Sequence, residues 1–108
     1  MKLAHRSNTQ SFVQHACMHA EVLALKEEDA TAVATGVVYD AYKMYIDAQP
    51  SHVKRVEMRV MVKDLKKLGL VNSSLTIHGA SVRGFRFPGR AVLERMLRQK
   101  KMWDSDQE

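Results

Sequence analysis

Between residues 52 and 66, basic side chains recur at intervals of three and four: His52, Arg55, Arg59, Lys63 and Lys66. If that segment is one helix, about 100° per residue gathers them into an arc of roughly 80°. Such a stripe has the chemistry to bind phosphate, because lysine and arginine neutralise a nucleic-acid backbone and an arginine fork can read a guanine edge. Lys54 stands beside it. A second basic group, Arg83, Arg86 and Arg90, lies in or just after a stretch bounded by Gly79 and Gly84. Glycine permits close backbone approach to a phosphate or groove wall, and arginine favours a narrow minor groove. The candidate DNA-contacting residues are therefore His52, Lys54, Arg55, Arg59, Lys63, Lys66, Gly79, Arg83, Arg86 and Arg90. A solvated basic face without a partner, and a glycine-rich hairpin that only turns, are the competing readings.

The charge distribution favours a polyanionic partner. Residues 1–50 hold 4 basic and 6 acidic side chains (−2), residues 51–101 hold 13 and 3 (+10), and residues 102–108 hold none and 3 (−3), giving the formal net charge of +5. Charge concentrated in one half of a small domain is an electrostatic footprint.

Other chemistry is weaker. His15 and His19 are one helical turn apart with Cys17 between them, but no third ligand accompanies them, so no metal is expected. Cys17 reads as packing. Tyr39, Tyr42 and Tyr45 recur every third residue and read as core and rim packing, since an aromatic content of 6% argues against a base-stacking platform. No carboxylate pair, Ser/His/Asp set or nucleophile elbow occurs, and no Gly-x-x-x-x-Gly-Lys-Ser/Thr loop to cradle a nucleotide. Neither an enzyme, a cofactor nor a small-molecule substrate is expected.

These residues need elements to position them. Phe12, Val13, Ala16, Ala20, Leu23 and Ala24 predict a helix over 8–26, capped by Asn8 or Thr9, and Glu27-Glu28-Asp29 breaks it. A short strand is expected at 32–34. Thr35 then N-caps a second helix over 36–48, with Val38, Tyr42 and Tyr45 or Ile46 inward. Pro50 and Ser51 open a third helix from 52 to about 68, stopped by Gly69. Its inward side carries Val53, Val56, Val60, Met61, Leu65 and Leu68, with Glu57 and Asp64 at the rim, paired with nearby lysines or arginines. A strand over 70–77, a turn over 78–81 and a return strand over 82–87 form a hairpin, with a bulge at Gly84. A last helix over 90–102 turns Val92, Leu93, Met96 and Leu97 inward.

The order predicts one domain spanning 1–108, ordered over about 8–102 with flexible ends at 1–7 and 103–108. Its class is mainly α with a small β-hairpin (α+β), a winged helix-turn-helix whose third helix is the one such folds present to DNA. Many winged helices bind proteins instead. No apolar run is long enough for a membrane span, no signal peptide is seen, and the lone cysteine fits a reducing compartment.

Three segments resemble the C-terminal winged helix of the archaeal and eukaryotic replication initiators, relatives of the largest origin recognition complex subunit and its helicase-loading cell-division-control partner. They are Thr35-Gly-Val-Val-Tyr-Asp-Ala-Tyr42, Val62-Lys-Asp-Leu-Lys-Lys-Leu-Gly-Leu-Val71 and His78-Gly-Ala-Ser-Val-Arg-Gly-Phe-Arg-Phe87. With the preceding helix, the resemblance covers about residues 10–97. It implies binding of duplex origin DNA by the third helix and the wing. It also implies partners among replication-initiation or helicase-loading proteins, in the nucleus of a eukaryote or the cytoplasm of an archaeon. Gly79, Arg83 and Gly84 match wing residues. The arginine pair early in the family's third helix falls on Val56 and Glu57, and Lys54-Arg55 is the nearest basic pair. The alternatives are a protein-interaction module and a transcription regulator of the same fold.

Overall fold

The computed structural model describes residues 7–108, so the expectation for 1–6 lies outside the described residues. Helix α1 spans Asn8–Met18 and is capped by Ser7, whose hydroxyl accepts from the Gln10 amide at 3.0 Å, rather than by Asn8 or Thr9. It buries Phe12, Val13, Ala16 and Cys17. The helix expected to reach residue 26 stops eight residues sooner. Leu23 and Leu25 are both buried, yet two residues apart on a helix they would face nearly opposite directions, so the chain unwinds to bring both inward. Ala24 between them has φ 55°.

Strand β1, Thr31–Ala34, runs directly into helix α2, Thr35–Asp47. Ala34 holds the N-cap position without a side-chain bond, so Thr35 is the first helical residue and not the cap. Val38, Tyr42 and Ile46 recur every fourth residue and form its buried face.

The third helix is the main departure from expectation. Helix α3 spans Met58–Lys67, not 52–68. Residues 51–52 form a turn and 53–57 have no regular structure. Two tyrosines of α2 prevent an earlier start. The Tyr39 hydroxyl donates to the Val56 carbonyl at 2.9 Å, while the Tyr42 hydroxyl accepts from the Val56 amide at 3.0 Å. Both backbone groups of Val56 are thus paired with side chains rather than with a helical ladder, and the Asn8 amide holds the Lys54 carbonyl at 2.8 Å. Gly69 ends α3 as expected, with φ 97°. The Lys100 ammonium donates to the Leu68 carbonyl at 2.9 Å.

Strands β2, Val71–Ile77, and β3, Ala80–Phe87, complete a three-stranded antiparallel sheet in the order β1-β3-β2. The turn is two residues, His78 and Gly79, with φ 50° and 79°, as tight hairpins require. The expected four-residue turn is therefore too long. Pairing is one-to-one from Val71↔Arg86 to Ile77↔Ala80, so Gly84 marks no bulge. It lies between Ser73 and Ala34, where a Cβ would meet Leu75 Cδ1 at 2.3 Å and the Val33 carbonyl oxygen at 2.4 Å.

Helix α4, Arg90–Gln99, starts from Gly89 and buries Leu93 and Leu97. It ends three residues before 102, at a turn where Lys101 has φ 59° and the Met102 amide reaches back to the Leu97 carbonyl at 2.8 Å. Residues 103–108, expected as a flexible end, fold against α1. Fully buried Gln14 exchanges hydrogen bonds with the Asp104 backbone, at 2.8 Å each way, and the Gln107 amide donates to the Ser11 carbonyl. Among the described residues, four α-helices and a three-stranded antiparallel sheet thus make a compact α+β fold, with Phe12, Tyr42, Met61, Leu65, Phe85, Phe87, Leu93 and Leu97 fully buried at its centre.

Candidate nucleic-acid interface

Met61 and Leu65 anchor α3 in the core, which turns Arg59, Lys63 and Lys66 outward on the opposite face, within about 60° of one another. Lys67, about 40° beyond Lys63, extends the same exposed face. It was missed because the stripe was followed through Lys66, although Lys67 also stands four residues after Lys63 and so belongs to its face. Among the described residues, Lys63, Lys66 and Lys67 make no ion pair. Lys66 and Lys67 occupy the last turn, where the helix dipole favours cations. Arg59 is paired with Glu57 at 2.8 Å, and both side chains remain largely exposed.

The upstream part of the expected stripe lies off the helix. His52 is exposed in the turn before the irregular segment, and Lys54 is exposed within it. Arg55 makes a bidentate pair with Asp47 of α2, Nε to Oδ1 at 2.8 Å and Nη2 to Oδ2 at 2.5 Å. The guanidinium holds the Asp47 carboxyl below the usual range. Arg55 therefore ties the irregular segment to α2. Among the described residues, Asp64 is not paired with a lysine or arginine. It accepts from the Thr9 hydroxyl at 3.1 Å, joining α3 to α1. Val60, expected inward, is 37% exposed beside the basic face.

On the hairpin, the pleat separates two arginines that stand three residues apart in sequence. Arg83 shares a face with buried Phe85 and Phe87, further towards the turn, and lies opposite Ser74. Arg86 shares the other face with Gly84 and Val82. Both arginines are exposed and, among the described residues, make no ion pair. Arg83 lines a shallow depression with Asn72, Ser73 and Ser74, so its guanidinium stands among hydroxyl and amide groups. Gly79 is exposed, and a Cβ there would meet nothing within 4 Å; its positive φ is the constraint.

Arg90 plays a different part. Its Nε and Nη2 donate to the carbonyls of Cys17 and Met18 at 2.7 and 3.0 Å, and Nη1 reaches Glu27 at 3.3 Å. It closes the exposed end of α1 and pins it to α4, which also accounts for where α1 ends. The Cys17 thiol donates to the Arg90 carbonyl at 3.2 Å, and burial pushes it up to about 11. The His15 and His19 rings are 4.6 Å apart, with His15 also 4.7 Å from the Tyr45 ring. Burial, then the neighbouring His19, lowers the His15 imidazole below its ordinary value. No group of three or more metal-ligating side chains is assembled among the described residues.

The geometry thus brings Arg59, Lys63, Lys66 and Lys67 together on α3, leaves Arg83 and Arg86 free on opposite hairpin faces, and commits Arg55 and Arg90 to holding elements together. A face of cationic donors, of which Arg59 is paired with Glu57, is suited to arrays of anions. No family model, no curated protein and no solved structure matches this chain.

Proposed function

We propose that this chain binds duplex DNA as a winged helix-turn-helix, with α3 as the helix that enters the major groove and the β2–β3 hairpin as the wing. The observation that carries the reading is the lysine face of α3, Lys63, Lys66 and Lys67, unpaired among the described residues and set opposite the buried Met61 and Leu65. Its lysines need no rearrangement of internal ion pairs before they meet phosphates. The element order and the β1-β3-β2 sheet agree with a winged helix, in which a hairpin follows three helices. The three segments similar to replication initiators make origin DNA the proposed target and replication initiation the proposed task. Arg83, with Asn72 and Ser74, is the wing's proposed phosphate contact. The experiment is fluorescence anisotropy with a labelled duplex across a salt series: binding whose logarithm falls linearly with log salt is expected, and no binding at low salt overturns the reading.

A further inference from the structure

We infer that β2 is a homodimerisation edge, pairing antiparallel with β2 of a second copy about a two-fold axis through Ser74. The inference does not depend on DNA binding. β2 is the terminal strand of the sheet, and its backbone makes no hydrogen bond with any described segment other than β3. Exposed edges are ordinarily blunted by charge, proline, a bulge or shortness. At seven residues, Val-Asn-Ser-Ser-Leu-Thr-Ile, this one has none of these devices. The opposite edge, β1, has only four residues.

The register identifies the partner. In a hairpin closed by a two-residue turn, the residues flanking the turn, Ile77 and Ala80, exchange hydrogen bonds, and every second pair after them does the same. Val71, Ser73, Leu75 and Ile77 therefore spend their backbone groups on β3, while those of Asn72, Ser74 and Thr76 point outward. An axis at Ser74 sets Ser74 against the partner's Ser74 and Asn72 against the partner's Thr76, so every outward amide and carbonyl of these three residues finds a complement. Axes at Ser73 or Leu75 leave some of them unmatched. The same axis places Val71, 64% exposed, opposite the partner's Ile77, which is 38% exposed, giving a cross-strand pair of β-branched side chains with no like charges facing. Edge-on pairing covers neither face of the hairpin, so Arg83 stays accessible.

Strand pairing alone buries less than the ~1,200 Å² of a standard interface, so the dimer is weak. Sedimentation equilibrium of the full chain should show monomer near ~1 µM and a rising dimer fraction towards ~500 µM, the range such small interfaces occupy. Ser74→Pro removes only an outward amide and keeps the β3 ladder, so it should remain folded by circular dichroism and monomeric throughout. Ser74→Lys sets two ammonium groups face to face and should do the same. Register is tested by oxidation. Ser74→Cys places the two Cα atoms at about 5.5 Å, within disulfide reach, whereas the two Thr76 residues would lie ~14 Å apart. A covalent dimer from Ser74→Cys and none from Thr76→Cys is expected, with Cys17 buried and silent. A parent protein still monomeric at ~500 µM, or equal cross-linking of the two cysteine variants, overturns the inference.

Discussion

Replacing Lys63, Lys66 and Lys67 together by glutamine removes the unpaired cations of α3 and lowers the formal charge from +5 to +2. If each lysine neutralises one phosphate, the slope of log affinity against log salt should fall by about 0.9 per contact, or roughly 2.7 in all. At ~0.1 M salt, one decade below 1 M, that is about 500-fold in affinity, or ~3.8 kcal/mol at ~1.4 kcal/mol per tenfold. The fold should be nearly indifferent, because the three side chains are exposed; only the loss of Lys66 and Lys67 from the last turn is felt, at about 0.3–1 kcal/mol each. The assay is anisotropy on one labelled duplex of about two helical turns, from ~50 to ~400 mM salt, with stability checked by urea denaturation. Arg55→Gln is the internal control. Its guanidinium is held by Asp47, so the variant should keep the parent slope despite losing a positive charge. A parent slope near zero, or a triple variant that keeps the parent slope, refutes the assignment of α3 as the phosphate-binding face.

Three further outcomes follow from the packing. Tyr42→Phe leaves the Val56 amide without its acceptor next to a fully buried ring, and should lower unfolding free energy by about 1–3 kcal/mol in urea denaturation. Gly84→Ala forces a Cβ against the Val33 carbonyl and Leu75, and should cost roughly 1–3 kcal/mol and loosen β1, read as faster amide exchange over Thr31–Ala34. His15 has a folded pKa below its unfolded value, so its contribution is fully present above the ordinary imidazole range and is lost as pH falls through and below it; His15→Gln should flatten that part of the stability–pH curve measured by denaturation.

Much of the architecture was legible from local signals. Buried positions four apart on α2, Gly69 after α3, the short strand before Thr35 and Pro88-Gly89 after the hairpin each act through backbone conformation or periodicity within a few residues. The α3 face around Lys63 and Lys66 was legible for the same reason, since residues three and four apart on one helix are neighbours wherever the helix sits. His52 and Arg55 were misplaced because their spacing fits the same period, and spacing says nothing about whether the chain is helical there. Tyr39 and Tyr42, remote in sequence, take both backbone groups of Val56 and hold the chain open.

The amino-acid sequence by itself determined which half of the chain is cationic, the order of helices and strands, and the two-sidedness of α2 and α3. These are properties of composition and of the 3.6-residue and 2-residue periods. Only the tertiary structure decided which cations are free. Arg55 and Arg90 read as equals of Lys63 and Arg83 until Asp47 and the carbonyls of Cys17 and Met18 stand within hydrogen-bond distance. Arg83 and Arg86 become residents of opposite faces once the register places Ser74 and Val71 across from them. A side chain's charge is set locally, but its availability depends on which distant acceptors folding brings within about 3 Å.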